Sequence, residues 1–282
     1  MTPEFAARTD RRSISARVFD GLCLLAAIIA VGVLLMILIS ITRKGIGAVN
    51  LDFFTKTPKP VGETGGGMSN AIIGTLIIVG IAALIAVPIG MGAGLYLSST
   101  NGSRFASVVR LVSDVLTGVP SIIVGILAYQ LVVIHMHKFS ALAGGIALSA
   151  LMLPTIVRTT EEIVRLVPRE YAEGALALGS PRWRATLTIV VPAAAGGLVT
   201  GTMLATARAM GETAPLLFTA FGNTFWNTSL TQPMAALPLQ IYQYAISPYD
   251  DWQRQAWAGA LVLVGLTLLL SLLARIAVRK RY

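Results

Sequence analysis

The sequence predicts an all-α membrane protein with six transmembrane helices. Three observations carry that expectation: six long apolar stretches, a composition too poor in charge for a water-soluble globule, and an uneven sharing of Lys and Arg between alternate connections. Of 282 residues, 55% are hydrophobic and 12% charged, against about 25% charged in an ordinary soluble domain. One globule cannot hide that much apolar surface. The formal net charge of +9 therefore has no soluble module on which to meet nucleic acid, and no nucleic-acid partner is expected. The single cysteine, Cys23, lies inside an apolar run, which removes a disulfide framework, a CxxC redox pair and a cysteine-rich metal site.

A helix rises 1.5 Å per residue, so roughly 20 apolar residues cross a hydrocarbon core about 30 Å thick. The first crossing is residues 22–41, which end in Ser40-Ile41-Thr42-Arg43 without a small-residue cleavage site, so it reads as an anchor rather than a signal peptide. The second lies within 68–103, the third is 115–134 and the fourth is 139–157, with a His135-Met136-His137-Lys138 turn between the last two. The fifth starts near Ile189 and is expected to continue through Arg208 and Glu212 toward Ala220; the sixth is 255–274. Tails at 1–21 and 277–282 then flank one membrane domain, 22–276. Glycines and prolines are frequent in these stretches, as suits close helix packing and bent helices.

Six crossings put both termini on one side. That side carries fifteen Lys and Arg, including Arg158, Arg165, Arg169, Arg182 and Arg184, while the other carries six and Arg208 stays in the bilayer. The richer side is expected to be cytoplasmic. Residues 221–254 then face outward, with Trp226, Tyr242, Tyr244, Tyr249 and Trp252 suited to a wet bilayer edge, and their uncharged middle, 233–245, suggests a re-entrant or interfacial helix.

Between crossings four and five the punctuation is legible. Pro168 suits the first turn of a helix, Glu170 and Glu173 favour its positive end, and Gly179 is placed to cap its end in the left-handed conformation. Ser180 and Pro181 are expected to open the next helix as cap and first residue. Tyr171, Ala175 and Leu178 form an apolar stripe, suited either to a groove in a partner or to lipid headgroups. Spacing separates these readings. Glu173-Gly174-Ala175, three residues to Gly179, nine more to Ile189 and then Val190-Val191-Pro192 resembles the EAA signature of ABC importer permeases, with Gly174 and Val191 as its departures.

That resemblance implies the type I ABC importer permease fold (MetI-like), with segment 166–187 as a cytoplasmic coupling helix that docks into a groove of an ATPase subunit. Glu173, Gly174, Ala175, Leu178 and Gly179 are its coupling residues. The chain has no Gly-Lys dipeptide and hence no phosphate-cradling loop of its own.

A second stretch, Ala207-Arg208-Ala209-Met210-Gly211-Glu212-Thr213-Ala214-Pro215, puts charge at bilayer depth, where it costs several kcal/mol unless paired or wet. Arg208 and Glu212 are four apart. On one continuous helix they share a face and either neutralise each other or leave the guanidinium to an anion. Arg158 and Glu161, three apart, read as an inner gate or as an interfacial ion pair. Asp114 reads as a boundary charge, and His135 and His137 as an interfacial pair rather than metal ligands.

The 207–220 run, with residues 70–76 and 154–161, resembles the PstA family of phosphate importer permeases. The resemblance implies a six-helix importer half in the cytoplasmic membrane of a bacterium, paired with a PstC-like permease, powered by two copies of a PstB-like ATPase and fed by a PstS-like phosphate-binding protein. ATP and Mg belong to that ATPase, so no cofactor, metal or catalytic residue is expected in this chain. Arg208, Arg158, Glu161 and Glu212 would lie on the substrate pathway, with Glu212 also read as the partner that holds Arg208 in place. From the residues alone, a permease for another oxyanion or a secondary anion transporter also stands, although a secondary transporter needs no coupling helix. An intramembrane hydrolase would need a HExxH or GxSxG motif, which the sequence lacks.

Overall fold

A computed structural model describes the backbone of residues 3–100 and 102–279, and the side chains of 16–100 and 102–276. The long helices are α1 (Pro3–Gly45), α3 (Ser69–Ser99), α6 (Ala141–Arg165), α8 (Arg182–Met210) and α11 (Asp250–Arg279), each with a stretch long and apolar enough to cross a membrane. Between them lie α2 (Leu51–Thr55), the pair α4 (Arg104–Gly118) and α5 (Ser121–Met136), α7 (Arg169–Ala177), α9 (Ala214–Thr219) and α10 (Leu237–Ala245). Residues 3–21, expected as a tail, belong to α1 without a break, and 277–279 belong to α11. The remainder of those two tails, 1–2 and 280–282, lies outside the described residues.

The expected third crossing, 115–134, is not one helix. It falls across α4 and α5, which bend by 106° at Val119-Pro120. Proline lacks the amide that would continue the ladder, and the residue before it is driven to extended backbone; Val119 sits at φ −73, ψ 128. The bent pair still makes a single crossing, because α3 and α6 pack side by side in the same direction. Gly90 meets Ile156, Gly94 meets Thr160, and Gly144 and Gly145 meet Ile78 and Ile81. Parallel neighbours need one return between them.

This α3–α6 pair is the centre of the bundle. A Cβ on Gly94 would come within 2.5 Å of Thr160 Cβ and 2.7 Å of the Val157 carbonyl, so the approach depends on glycine. The principal core joins Ile78, Ala82 and Ala86 of α3 to Leu148, Met152 and Ile156 of α6, with Ala205, Ala209 and Met210 of α8 closing it. Burial of these apolar groups within protein supplies packing rather than escape from water, since lipid is equally apolar. The α8 helix runs antiparallel to α6, with Gly197 against Ile163 and Gly201 against Thr159.

Local signals set the shorter elements. Asn50 caps α2 by accepting from the Phe53 amide at 2.8 Å, and Ser140 caps α6 by accepting from Ala143 at 3.1 Å. The expected interfacial helix of 233–245 is α10, and it is packed into the protein: Leu237, Leu239 and Gln240 are buried. Tyr244, expected at the wet edge, is buried there and stacks on Trp252 at 4.4 Å between ring centres. Burial raises the Tyr244 phenol above its ordinary pKa, Asp251 adds to the shift, and a hydrogen bond with Gln240 opposes it.

Candidate functional site: a charged cavity and a surface coupling turn

The fifth crossing stops earlier than expected. Helix α8 ends at Met210, and the chain closes through Gly211 and Glu212, whose amides donate to the Arg208 and Ala209 carbonyls at 3.1 and 3.2 Å. A new short helix then begins at Ala214 with Pro215 in its first turn, the position where proline's missing amide is harmless. Arg208 therefore lies on the last turn of α8, and Glu212 lies in the break beyond it. The expected shared helix face does not exist, and no ion pair or side-chain hydrogen bond joins the two among the described residues.

Both side chains instead line one cavity of about 200 Å³. It sits where the α4–α5 break (Val119, Pro120, Ser121), the middle of α6 (Met152, Pro154, Thr155) and the α8–α9 break meet. Arg208 is exposed and Glu212 half-buried. With a water's share of liquid volume about 30 Å³, the space holds a small oxyanion with some of its waters. The α5 helix begins at the cavity with Ser121, whose amide and that of Ile122 precede the first turn's bonds, the Ile123 amide donating to the Pro120 carbonyl at 3.0 Å. A guanidinium fork, a helix N-terminus and hydroxyls on Ser121 and Thr155 can together hold a small anion. Arg208 and Glu212 are the charged side chains of the lining.

Arg158 and Glu161 do not line the cavity. They sit farther along α6, toward the coupling turn, inside a larger ionic cluster. The Glu161 side chain is 1% exposed and pairs with Arg110 at 2.7 Å, Arg165 at 2.6 Å and Arg158 at 3.5 Å. Arg158 bonds more closely to Asp114, through Nε at 2.7 Å and also through one terminal nitrogen. Asp114 is thus an ion-pair partner rather than a bare boundary charge, and Arg110, Asp114 and Arg165 join the two residues read from sequence. Two of the links span 44 and 51 residues, and no local spacing announces them. The cluster clamps α4 to α6.

The turn after α7 is built much as its punctuation suggests. Gly179 has φ +82, its amide donates to the Leu176 carbonyl at 2.9 Å, and the Ser180 amide donates to Ala175 at 3.1 Å. This pair of bonds is the Schellman cap, which glycine adopts without a Cβ penalty. Two details differ from expectation. Pro168 and Pro181 precede their helices as caps instead of occupying first helical positions, and the Ser180 side chain makes no capping bond. The stripe also splits. Tyr171 and Leu178 are exposed together with Glu173 and Gly174, but Ala175 is buried against the rest of the chain. What faces outward is Tyr171, Leu178 and, beyond the turn, Trp183. Among the described residues no three His, Cys, Asp or Glu side chains gather as a metal-holding group.

Comparison with known proteins agrees with this architecture. The family model described as binding-protein-dependent transport system inner membrane component matches residues 86–281. The phosphate transport system permease protein PstA of Yersinia pestis is 45% identical over 249 residues, covering 88% of this chain and 84% of that protein. The PstA of Xylella fastidiosa (strain Temecula1) is 45% identical over 268 residues, 94% and 92% of the two chains, and that of Haemophilus influenzae 44% over 258, 91% of each. Among solved structures, the MetNI methionine ABC transporter in an inward-facing conformation aligns with a TM-score of 0.63 at 18% identity, covering 75% of this chain and 94% of that one. An amino acid ABC transporter aligns with a TM-score of 0.56 at 18% identity, covering 76% and 92%. These two similarities establish the fold, and the closer relatives the family: the chain belongs to the inner membrane components of binding-protein-dependent transport systems, among relatives named PstA.

Proposed function

We propose that this chain is one permease subunit of an ATP-driven importer of inorganic phosphate, and that Arg208 receives the anion in the cavity between the two helix breaks. One observation carries the reading: an exposed guanidinium with no ion-pair partner among the described residues lines a cavity of about 200 Å³ between the two helix breaks. Relatives at 44–46% identity named phosphate transport permeases support the choice of anion. The partners follow from that reading: a PstC-like second permease, two PstB-like ATPase subunits that use ATP and Mg, and a PstS-like binding protein. The chain lies in the inner membrane with both termini cytoplasmic, where the Tyr171–Leu178 face meets the ATPase. ATP binding closes the ATPases, the coupling turn moves as a rigid body, and the cavity opens outward; hydrolysis returns it inward.

The test is Arg208→Ala in the assembled transporter. Hydrogen bonds to a charged group are worth about 1.5–3 kcal/mol, so phosphate uptake into vesicles should fall at least about tenfold while the subunits still co-purify. Near-normal uptake would refute the pathway role of Arg208.

A further inference from the structure

The cavity contains a group that the simple picture of an anion site does not use. Glu212 is half-buried, lines the same space as Arg208, and has no hydrogen bond or ion pair from its carboxylate among the described residues. The break at Gly211 takes it off the α8 helix, where it would have faced Arg208. A carboxylate beside an anion is unfavourable unless the anion brings a proton. We infer that Glu212 sets which oxyanion the cavity accepts, by taking a hydrogen bond from the proton that phosphate keeps at neutral pH and sulfate does not. This rests on the phosphate pathway through Arg208 proposed above.

The argument is one of donors and acceptors. A guanidinium donates through five N–H groups and accepts nothing, so Arg208 grips any tetrahedral oxyanion alike. The hydroxyls of Ser121 and Thr155 rotate to donate or accept and are equally indifferent. Glu212 is the one oxygen-bearing side chain of the lining that only accepts. Against phosphate it forms an O–H···O⁻ bond, the short charge-assisted kind. Against sulfate it sets oxygen on oxygen with like charge, a repulsive element of the sort that gives specificity. Sites that bond a substrate hydroxyl reject analogues lacking it far more strongly than apolar pockets reject a missing methylene.

The binding protein would impose its own selectivity on uptake, so the measurement leaves it out. The transporter is purified with its partner subunits in lipid nanodiscs, and binding of radiolabelled inorganic phosphate is competed with unlabelled phosphate or sulfate. Wild type should need at least about tenfold more sulfate than phosphate for equal displacement. Glu212→Gln, whose amide can donate to a bare oxygen, should bring the two within about threefold, while Glu212→Asp, which still only accepts, should keep the preference. A wild-type ratio retained in Glu212→Gln, a lost ratio in Glu212→Asp, or a wild type that does not distinguish the anions overturns the inference. Should Glu212→Gln fail to assemble, Glu212→Ala takes its place: removing the acceptor should likewise bring the two anions within about threefold, and a retained wild-type ratio overturns the inference. Arg208→Ala separates the two ideas. If it loses phosphate binding while Glu212→Gln leaves selectivity intact, the pathway stands and the role of Glu212 falls; if it binds like wild type, the pathway reading fails and takes this inference with it.

Discussion

Replacing Glu161 with Gln keeps the shape of a side chain that is 1% exposed but removes the charge shared by Arg110, Arg158 and Arg165. Breaking a buried pair by deleting one partner costs about 3–5 kcal/mol, because the other charge is left uncompensated. The clamp spreads that loss unevenly. Arg165 is 47% exposed and can turn to water, and Arg158 keeps Asp114. Arg110, 22% exposed, retains only the Leu97 and Thr100 carbonyls, at 2.9 and 3.4 Å. About 2–3 kcal/mol therefore remains, a drop of roughly 4–12 °C in melting temperature. Thermal unfolding of the purified complex, followed by loss of the monodisperse chromatographic peak, measures it. The control is Asp114→Asn, whose pair is 34% and 50% exposed and so is worth less than about 1 kcal/mol. A double-mutant cycle of Arg110→Gln with Glu161→Gln should show a coupling of about 1 kcal/mol or more. Should Glu161→Gln melt with wild type, or Asp114→Asn match its loss, the buried carboxylate is not what fastens α4 to α6.

Two further substitutions probe the backbone. Gly179→Val places a β-branched residue at φ +82 with nothing within 4 Å of the new Cβ, so the penalty is conformational, about 1–2 kcal/mol, and not steric. It should raise the ATP hydrolysed per phosphate imported in proteoliposomes, and a normal ratio would count against the cap as the coupling device. Gly94→Ala should lose about 1–3 kcal/mol, because α3 and α6 must part to admit a Cβ at 2.5 Å from Thr160. Gly80→Ala, with open space around it, should gain about 0.5–1 kcal/mol from helix propensity, so equal melting shifts for the two would contradict the packing argument.

How much of this was readable in the chain follows from the range of each cause. Apolar runs, the Gly179 cap and the 135–138 turn are local, and His137 indeed ends α5 at φ +53. The helix breaks were also locally signalled, by Val119-Pro120 and Thr213-Ala214-Pro215, but hydropathy runs through both, and extending a helical period across Gly211 produced the wrong face for Glu212. The stripe at 171–178 was divided because amphipathicity does not say which apolar residue meets its own chain. Ala175 does. The clamp around Glu161 depends on two helices meeting after a sharp bend, which no spacing within either one encodes.

Helix α8 has a consequence of its own. Over its 29 residues, which include a π-helical turn at Thr186–Val190, it is about 43 Å long, with the Gly179 turn at its foot and Arg208 at its head. A tilt of 5° about its midpoint would swing the guanidinium by about 2 Å, enough to trade one set of hydrogen bonds for another. On the proposed function, a single helix would then join the surface that meets the motor to the side chain that meets the cargo, with no relay of side chains between them.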